Sequence, residues 1–349
     1  MRSNDKIVPK RLLSNKTCTP DLSICIPTLN RPLELKRLIK NIKEDLEDKI
    51  ELVVLDDSKN SSSFNVFKNL IDSKICQYQY FKGLENGVDK ANLFLLEKAR
   101  GKFIWWFSDD DIILKNALQN LLKFIRSHPD LTFIWVNFYH QTLKRLACKS
   151  NSRYFKNAED MLITLGHNLG LMSTYVIKRR LALKYINYGF ENVRGFAFAA
   201  TAVVIKTVVE ENKAFLLTGQ NILNNPSSLQ NMKKSMQKIN GEFKNEAFTT
   251  YGIYFKEIID GCKLNFSKTG YKKIMKKIFR PVWKGIWVGW VGGWDNPRGK
   301  RLKMLKLYWF LPECWIALTL FYIPKTINQI LYRIYKNFKK IYIKFSTKN

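Results

Sequence analysis

Apolar runs alternate with amphipathic stretches over the first 140 residues of the chain. Short runs rich in β-branched and aromatic residues predict buried strands at 22–27, 49–58, 75–81, 102–107 and 131–139. The intervening segments place apolar residues three or four positions apart, which predicts helices at 33–42, 63–71, 88–99 and 116–125. Strands that alternate with helices predict an α/β domain with a mostly parallel sheet and helices on both faces.

Polar side chains follow three of these strands at the point where each strand ends. The three clusters are Thr28, Asn30 and Arg31 after the first strand, Asp56 and Asp57 at the end of the second, and Asp109, Asp110 and Asp111 after the fourth. Ligands of open α/β sheets bind outside the carboxyl ends of the strands. The three clusters are therefore expected to line one crevice.

The three adjacent aspartates lie between apolar segments, in "GKFIWWFSDDDIIL" (101–114). One of them could cap the helix expected near Lys115, and Asp56 and Asp57 could be turn or cap residues. Three neighbouring carboxylates, however, repel one another unless a cation neutralises them. Hard oxygen ligands suit Mg²⁺ or Mn²⁺, and Mg²⁺ commonly bridges carboxylates to phosphates. The sequence therefore predicts a divalent cation that carries a diphosphate.

Four motifs in order, "SICIPTLNRP", "ELVVLDDS", "ENGVDKAN" and "ARGKFIWWFSDDDIIL", resemble those of family 2 glycosyltransferases with the GT-A fold. The resemblance covers about residues 20–140 and is closest to bacterial enzymes of O-antigen or capsular polysaccharide synthesis. It implies a GT-A catalytic domain at 21–262, with a nucleotide-binding half (21–140) and an acceptor half (141–262). Residues 1–20 are an N-terminal extension.

The resemblance also implies roles for individual residues. Asp56 or Asp57 would accept a hydrogen bond from the nucleotide base, and Asp110, supported by Asp111, would bind Mg²⁺ or Mn²⁺. Ser108 stands where many relatives have the first aspartate of the acidic motif. The remaining nucleotide-sugar contacts implied are Pro27, Thr28, Asn30, Arg31, Asn86, Lys90, Asn92 and Asp109.

Family 2 enzymes invert the anomeric carbon, so the resemblance implies a carboxylate base that deprotonates the acceptor hydroxyl. Glu191, in "INYGFENVRG" (186–195), is the candidate base, although it could equally be a surface turn residue. Asp111 is the second candidate catalytic residue, through support of the metal or the donor sugar. "GLMSTYVIKRR" (170–180) resembles the Gly-x-x-Ser segment that flanks the acceptor pocket.

Charge sets the last part of the chain apart. The whole sequence has 59 Lys and Arg against 29 Asp and Glu, a net charge of +30. From residue 264 to 349 there are nineteen Lys or Arg and two acids. Residues 271–294 mix lysine with tryptophan, and residues 327–345 carry one apolar stripe among basic residues. This pattern predicts a basic amphipathic helical region at 263–349 that associates with an anionic membrane surface, although the stripe could instead pack on the catalytic domain.

Several other classes of protein are less compatible with the sequence. A nucleic-acid-binding protein could use the same charge, but no nucleic-acid-binding motif is present. A nucleotidyltransferase would need a Gly-rich first loop, and a dinucleotide-dependent oxidoreductase a GxGxxG segment. The six scattered cysteines and the absence of an apolar N-terminal run predict reduced thiols. We therefore expect a peripheral enzyme on the cytoplasmic face of a bacterial inner membrane, with a nucleotide-sugar donor, a lipid-linked saccharide acceptor and no nucleic-acid partner.

Overall fold

The chain divides into two compact units, residues 1–230 and 231–349. The computed structural model describes residues 12–13, 19–43, 45–47, 49–71, 77–83, 87–141, 144–194, 197–224 and 247–291, with 306, 308–312, 314–315, 319, 323–324, 326–331 and 333–334. The predicted boundary between residues 262 and 263 lies inside the second unit.

One mixed sheet forms the centre of the first unit. Among the described residues its eleven strands are β1 (Leu12–Leu13), β2 (Leu22–Thr28), β3 (Ile50–Asp56), β4 (Gln77–Lys82), β5 (Phe103–Trp106), β6 (Ile112–Ile113), β7 (Phe133–His140), β8 (Arg145–Leu146), β9 (Arg153–Tyr154), β10 (Tyr175–Lys178) and β11 (Ala214–Asn224). Their spatial order is β1-β4-β3-β2-β5-β10-β7-β11-β6, with β8 beside β7 and β9 beside β11. The predicted strands correspond to β2, β3, β4, β5 and β7, and are confirmed.

The predicted parallel arrangement holds for one half of the sheet. Strands β4, β3, β2 and β5 are parallel neighbours, and their residues are almost all buried because helices cover them. Beyond β5 the sheet is mixed, since β10 pairs antiparallel with both β5 and β7. The chain enters β10 from the short 3-10 helices Gly166–Gly170 and Met172–Thr174. The start of β10 therefore lies at the carboxyl end of β5.

Eight helices are described in the first unit. They are α1 (Pro32–Lys43), α2 (Ser62–Leu70), α3 (Gly87–Lys98), α4 (Ala117–Ser127), α5 (Ala158–Leu165), α6 (Arg179–Lys184), α7 (Ile186–Glu191) and α8 (Phe198–Glu211). Helices α1 and α2 pack together, and α3 packs with α8. The connections β2–α1–β3 and β3–α2–β4 proceed in one direction across the sheet, whereas β4–α3–β5 proceeds in the other. Because such crossovers are right-handed, α1 and α2 lie on one face of the sheet and α3 lies on the other. The predicted helices are confirmed as α1 to α4.

A buried carboxylate forms hydrogen bonds that connect the amino ends of the central strands. Glu51 of β3 accepts hydrogen bonds from the Ser23 hydroxyl at 2.6 Å and from the Gln79 amide at 2.9 Å. The Arg100 side chain donates a further bond to it at 2.6 Å. These hydrogen bonds connect β2, β3 and β4 near their amino ends, opposite the carboxyl ends where the acidic motif lies.

The second unit is helical in its described residues. Helix α9 (Ala247–Asp260) packs against α10 (Lys268–Val291), and residues 326–331 and 333–334 are also helical. Of the predicted stripe at 327–345, residues 327–331, 333 and 334 lie within the described part of the chain. Within the described part of the chain, no helix combines the length and the apolar character needed to cross a bilayer.

Candidate active site

The polar clusters meet at the carboxyl ends of β2, β3 and β5. Thr28 donates a hydrogen bond to Asp109 at 2.7 Å, and Arg31 contacts Asp109 at 2.9 Å and Asp110 at 3.3 Å. The second cluster joins through backbone groups, since the Asp57 amide donates to the Thr28 carbonyl at 2.9 Å. Three strand ends that are distant in sequence therefore line one crevice, as their positions predict.

The acidic motif is buried, although it carries three carboxylates. Asp109, Asp110 and Asp111 are 2%, 5% and 1% exposed, and Arg31 forms ion pairs with Asp109 and Asp110. Burial raises the pKa of Asp109 to about 6, with a further increase from Asp110 that Arg31 partly offsets. Asp109 and Asp110 raise the pKa of Arg31 despite its burial. The motif therefore concentrates negative charge in a region of low dielectric.

Serine hydroxyls orient the other two carboxylates of the motif. Ser108 donates to Asp110 at 2.5 Å, and Ser173 donates to Asp111 at 2.6 Å. The Ser173 hydroxyl also accepts a hydrogen bond from the Ser108 amide at 3.0 Å. Ser173 precedes β10, so the antiparallel strand delivers the predicted Gly-x-x-Ser segment directly to the acidic motif. Ser108, at the position of the missing aspartate, supports Asp110 instead.

Two residues of α1 hold the backbone of the acidic loop. Arg37 donates to the Asp110 carbonyl at 2.6 Å. The Asn41 carboxamide donates to the Ile113 carbonyl at 2.8 Å and accepts from the Ile113 amide at 2.9 Å. Sequence reasoning missed both residues. The two residues are four positions apart, so their polar side chains lie on the same side of the helix. This spacing is the signal that could have indicated a role in holding the acidic loop.

The two aspartates at the end of β3 have different surroundings. Asp56 is fully buried and accepts hydrogen bonds from Tyr80 at 2.6 Å, Lys82 at 3.0 Å and the Ser58 amide at 2.9 Å. Burial and this contact raise the pKa of Tyr80. Asp57 lies against Gly83, where an added Cβ would come within 1.8 Å of the Asp57 Oδ1 atom. The Asp56 carboxylate therefore accepts hydrogen bonds from within the protein, including one that stabilises the turn to Ser58.

The remaining nucleotide contacts implied by the resemblance are less centrally placed. Pro27 is half-buried at the end of β2, and Asn30 has a left-handed φ of 55° with its amide 2.6 Å from the Ser58 hydroxyl. Lys90 is exposed on α3, whereas Asn92 is fully buried, with its Nδ2 atom 3.5 Å from the Met172 sulfur. Asn86 lies outside the described residues. Nucleotide contacts by these side chains stay predictions.

Glu191 is exposed at the last residue of α7, which replaces the predicted turn. Gly189 lets α7 lie close to its neighbours, because a Cβ there would be 2.7 Å from both Leu93 of α3 and Val203 of α8. Asp89 of α3 accepts hydrogen bonds from the amides of Arg194 at 2.8 Å and Ala199 at 2.9 Å. The segment after Glu191 is thus fixed to the first turn of α3, which follows the carboxyl end of β4.

Asp89 compensates for the missing cap of helix α8. Ala197, at the N-cap position, has a φ of 61° and makes no side-chain capping bond. The Asp89 carboxylate supplies the acceptor and places negative charge at the helix N-terminus, where it is stabilising. Sequence reasoning overlooked Asp89. A helix that starts without a Ser, Thr, Asp or Asn cap is a signal that an acceptor comes from elsewhere in the chain.

The acidic motif fits a divalent cation that takes most of its ligands from a substrate. Within the described residues, no group of three or more His, Cys, Asp or Glu side chains is arranged to hold a metal ion. Mg²⁺, however, is usually bound through one or two carboxylates, with phosphates and water completing the shell. The buried Asp110 and Asp111 provide hard oxygen donors of that kind, and burial raises the pKa of the neighbouring Asp109.

Four of the six cysteines lie within the described residues. Cys25, Cys148, Cys262 and Cys314 are buried and form no disulfide. Cys18 and Cys76 lie outside the described residues.

Comparison with known proteins gives a family for this site. Residues 23–186 match the family model Glycosyl transferase family 2. The chain is 36% identical over 109 residues to GalNAc(5)-diNAcBac-PP-undecaprenol beta-1,3-glucosyltransferase of Campylobacter jejuni, covering 30% of this chain and 34% of that protein. It therefore spans about a third of the length of that relative. An uncharacterized glycosyltransferase of Haemophilus influenzae is 25% identical over 68% of this chain and 88% of its own length.

A solved structure agrees with the fold. Residues 1–349 of Staphylococcus aureus TarS, in complex with UDP-GlcNAc, superpose with a TM-score of 0.52 at 15% identity, covering 81% of this chain and 76% of that chain. At this identity the likeness concerns the fold, which is of the GT-A type. Residues 23–186, which contain the acidic motif, are therefore similar to glycosyl transferase family 2.

Proposed function

We propose that the protein transfers a sugar from a nucleotide-sugar to a lipid-linked saccharide in the synthesis of a cell-surface glycan. The observation that carries this proposal is the buried carboxylate cluster beside Arg31, at the carboxyl ends of β2 and β5 in a family 2 domain. The name of the Campylobacter relative specifies glucosyl transfer and an undecaprenol-linked saccharide, and TarS was solved with UDP-GlcNAc. Both names agree with this substrate class.

In this proposal the nucleotide lies across the first two strand ends. Asp57 accepts the hydrogen bond from the base, because the Asp56 carboxylate already receives three hydrogen bonds from Tyr80, Lys82 and Ser58. Asp109 faces the ribose. Arg31 and the exposed Lys90 provide positive charge for the phosphates. The resemblance to family 2 enzymes supports these roles.

Mg²⁺ or Mn²⁺ would be held by Asp110, with Asp111 in support. When bound, it would neutralise the charge that develops on the leaving diphosphate. The protein's own contribution is orientation: Ser108 and Ser173 set the two carboxylates, and α1 fixes the loop that carries them. No proton has to reach the leaving group.

Glu191 is proposed as the base that takes the proton of the acceptor hydroxyl, so that attack inverts the anomeric carbon. Its support is its place beside the segment that Asp89 fixes to α3, at the same edge of the sheet as the acidic motif. Its exposure leaves the carboxylate open to an acceptor from solvent or from a membrane surface. A peripheral position on the cytoplasmic face of a bacterial inner membrane completes the proposal.

A screen of nucleotide-sugars for thermal stabilisation, with Mn²⁺ or with EDTA, tests the donor site. We expect one donor to raise the melting temperature only when Mn²⁺ is present. Asp110→Asn should abolish this stabilisation and reduce turnover about a thousandfold, because the cation accounts for several kcal/mol of charge stabilisation.

Asp130→Asn is the matched control, since Asp130 lies in the exposed loop before β7 and forms an ion pair with the exposed Lys213. It should respond to the donor like the wild type. Full transfer in EDTA would contradict the role of the metal. Failure of every nucleotide-sugar to stabilise the protein would contradict the transferase proposal itself.

A further inference from the structure

Two helical segments of the second unit present opposite kinds of surface. Helix α10 buries its apolar side chains in the usual way. Its buried apolar residues include Ile274, Met275, Ile278, Phe279 and Trp287. Its exposed face is basic, and consists of Lys272, Lys273, Lys276, Lys277 and Arg280.

The helical segment at 326–334 is arranged the other way round. Among its described residues, Asn328 is the buried one. The Trp287 indole donates to the Asn328 Oδ1 atom at 3.0 Å, and the Asn328 Nδ2 atom donates to the Ile323 carbonyl at 3.0 Å. A buried polar contact between α10 and this segment therefore determines which side of the segment faces the protein.

The exposed positions of this segment include an apolar stripe, which lies beside the exposed polar residues Thr326, Gln329 and Arg333. Four positions spaced as i, i+3, i+4 and i+7 share one face of a helix. In this segment they are Ile327, Ile330, Leu331 and Ile334, with exposures of 48%, 56%, 37% and 47%. A contiguous apolar stripe held in water is unfavourable and marks an interaction surface.

Two exposed tryptophans belong to the same unit. Trp309 and Trp315 are 62% and 52% exposed, and the Trp315 indole donates to the Trp309 carbonyl at 2.8 Å. Tryptophan is enriched at the boundary between lipid and water, where its ring is partly buried and its N–H remains hydrogen-bonded. Basic side chains at the same boundary are attracted by anionic headgroups.

We infer that the outward stripe of residues 327–334 docks onto the surface of an anionic lipid bilayer, beside the basic face of α10. The charge of the chain selects this partner, because a second copy would bring another +30 to the contact, whereas an anionic bilayer brings the complementary charge. The stripe lies in the headgroup region as an interfacial helix does. The inference rests on the proposed function only in so far as a lipid-linked acceptor requires a membrane.

Flotation with lipid vesicles tests the docking surface. The stripe variant is Ile330→Glu with Ile334→Glu, and the matched control is Thr326→Glu with Gln329→Glu, which adds the same charge to exposed polar positions of the same segment. With vesicles of phosphatidylcholine and phosphatidylglycerol, the stripe variant should bind roughly tenfold more weakly or worse, because two apolar side chains lose their burial. The control carries the same added charge but keeps both isoleucines, so it should lose clearly less affinity than the stripe variant.

Equal flotation of the two variants would overturn the inference, as would equal binding of the wild type to vesicles with and without phosphatidylglycerol. Self-association that the stripe variant alone loses, with flotation unchanged, would assign the stripe to a contact between copies. Binding to duplex DNA in preference to vesicles would assign the basic face to nucleic acid. If the glutamate variant melts early, Ile330→Ser with Ile334→Ser repeats the comparison without added charge.

The outcome separates this inference from the proposed function. Stabilisation by a nucleotide-sugar is measured on the same variants and should be unchanged, because their substitutions lie outside the donor site. Stripe-dependent flotation without any response to nucleotide-sugars would keep the docking surface and reject the transferase. Normal stabilisation by a nucleotide-sugar, together with flotation that does not depend on the stripe, would keep the transferase proposal and reject the docking surface.

Discussion

Asp109 should make the stability of the protein fall as the pH rises through the weakly acidic range. Burial raises its folded-state pKa from 3.8 to about 6, so the folded protein keeps a proton that the unfolded chain has released. Between these two values the unfolded state binds fewer protons, and the free energy of unfolding decreases with pH. The difference of about 2 pKa units corresponds to about 3 kcal/mol, which is lost by the time the pH exceeds 6.

Chemical denaturation of the wild type and of Asp109→Asn isolates this contribution. Carboxylates such as Asp21 and Asp160, whose pKa values are lowered by their basic partners, contribute with the opposite sign in both proteins. The change in unfolding free energy between about pH 4 and pH 7 should therefore be less favourable in the wild type by about 3 kcal/mol. Equal changes in the two proteins would show that Asp109 titrates as an ordinary carboxylate and would refute the electrostatic description of the site.

The same titration should appear in cation binding. The proton that Asp109 takes up below about pH 6 removes a negative charge beside Asp110, which would hold the cation, so the apparent affinity for Mn²⁺ should fall as the pH decreases through about 6. Titration of Mn²⁺ monitored by melting temperature would measure this dependence. An affinity that is flat between about pH 5 and pH 7 would separate cation binding from Asp109.

Three further substitutions have defined outcomes. Gly83→Ala places a methyl group against the Asp57 carboxylate and should cost about 1–3 kcal/mol in denaturation while weakening nucleotide binding; wild-type values for both would contradict the contact. Asn41→Asp replaces a donor to the acidic loop by a carboxylate oxygen and should destabilise by about 2–3 kcal/mol, whereas the exposed Asn120→Asp should be near neutral. Glu191→Gln should abolish transfer but preserve donor-dependent stabilisation, and near-normal transfer by this variant would place the base elsewhere.

The parts of the fold that are specified locally could be predicted from the sequence. Strands β2 to β5 carry dense apolar runs, and α1 to α4 repeat apolar residues at helical spacing, so their existence and order follow from short windows. Parallel strands separated by helices place their carboxyl ends together. For that reason the sequence was sufficient to predict that Thr28, Arg31 and Asp109 lie close together.

The parts that depend on contacts distant in sequence could not be predicted in this way. Nothing in "TYVIK" indicates that β10 runs antiparallel between β5 and β7, since a short apolar run has no direction. The division of labour between Asp56 and Asp57 depends on Tyr80 and Lys82, which lie on the next strand. The outward stripe follows from a single buried asparagine, Asn328, and helical periodicity cannot indicate which face a neighbour covers.

The position of β10 also has a consequence for how the protein is made. This strand begins 69 residues after β5 ends (175 − 106), so β5 and β7 are both synthesised well before the strand that joins them. Until then the nascent sheet ends at β5 with an open, strongly apolar edge, a state in which partly folded chains aggregate. A fragment that stops near residue 140 keeps all four sequence motifs yet lacks Ser173 and the central strand. The shortest piece with a continuous sheet across the acidic motif therefore extends beyond Lys178.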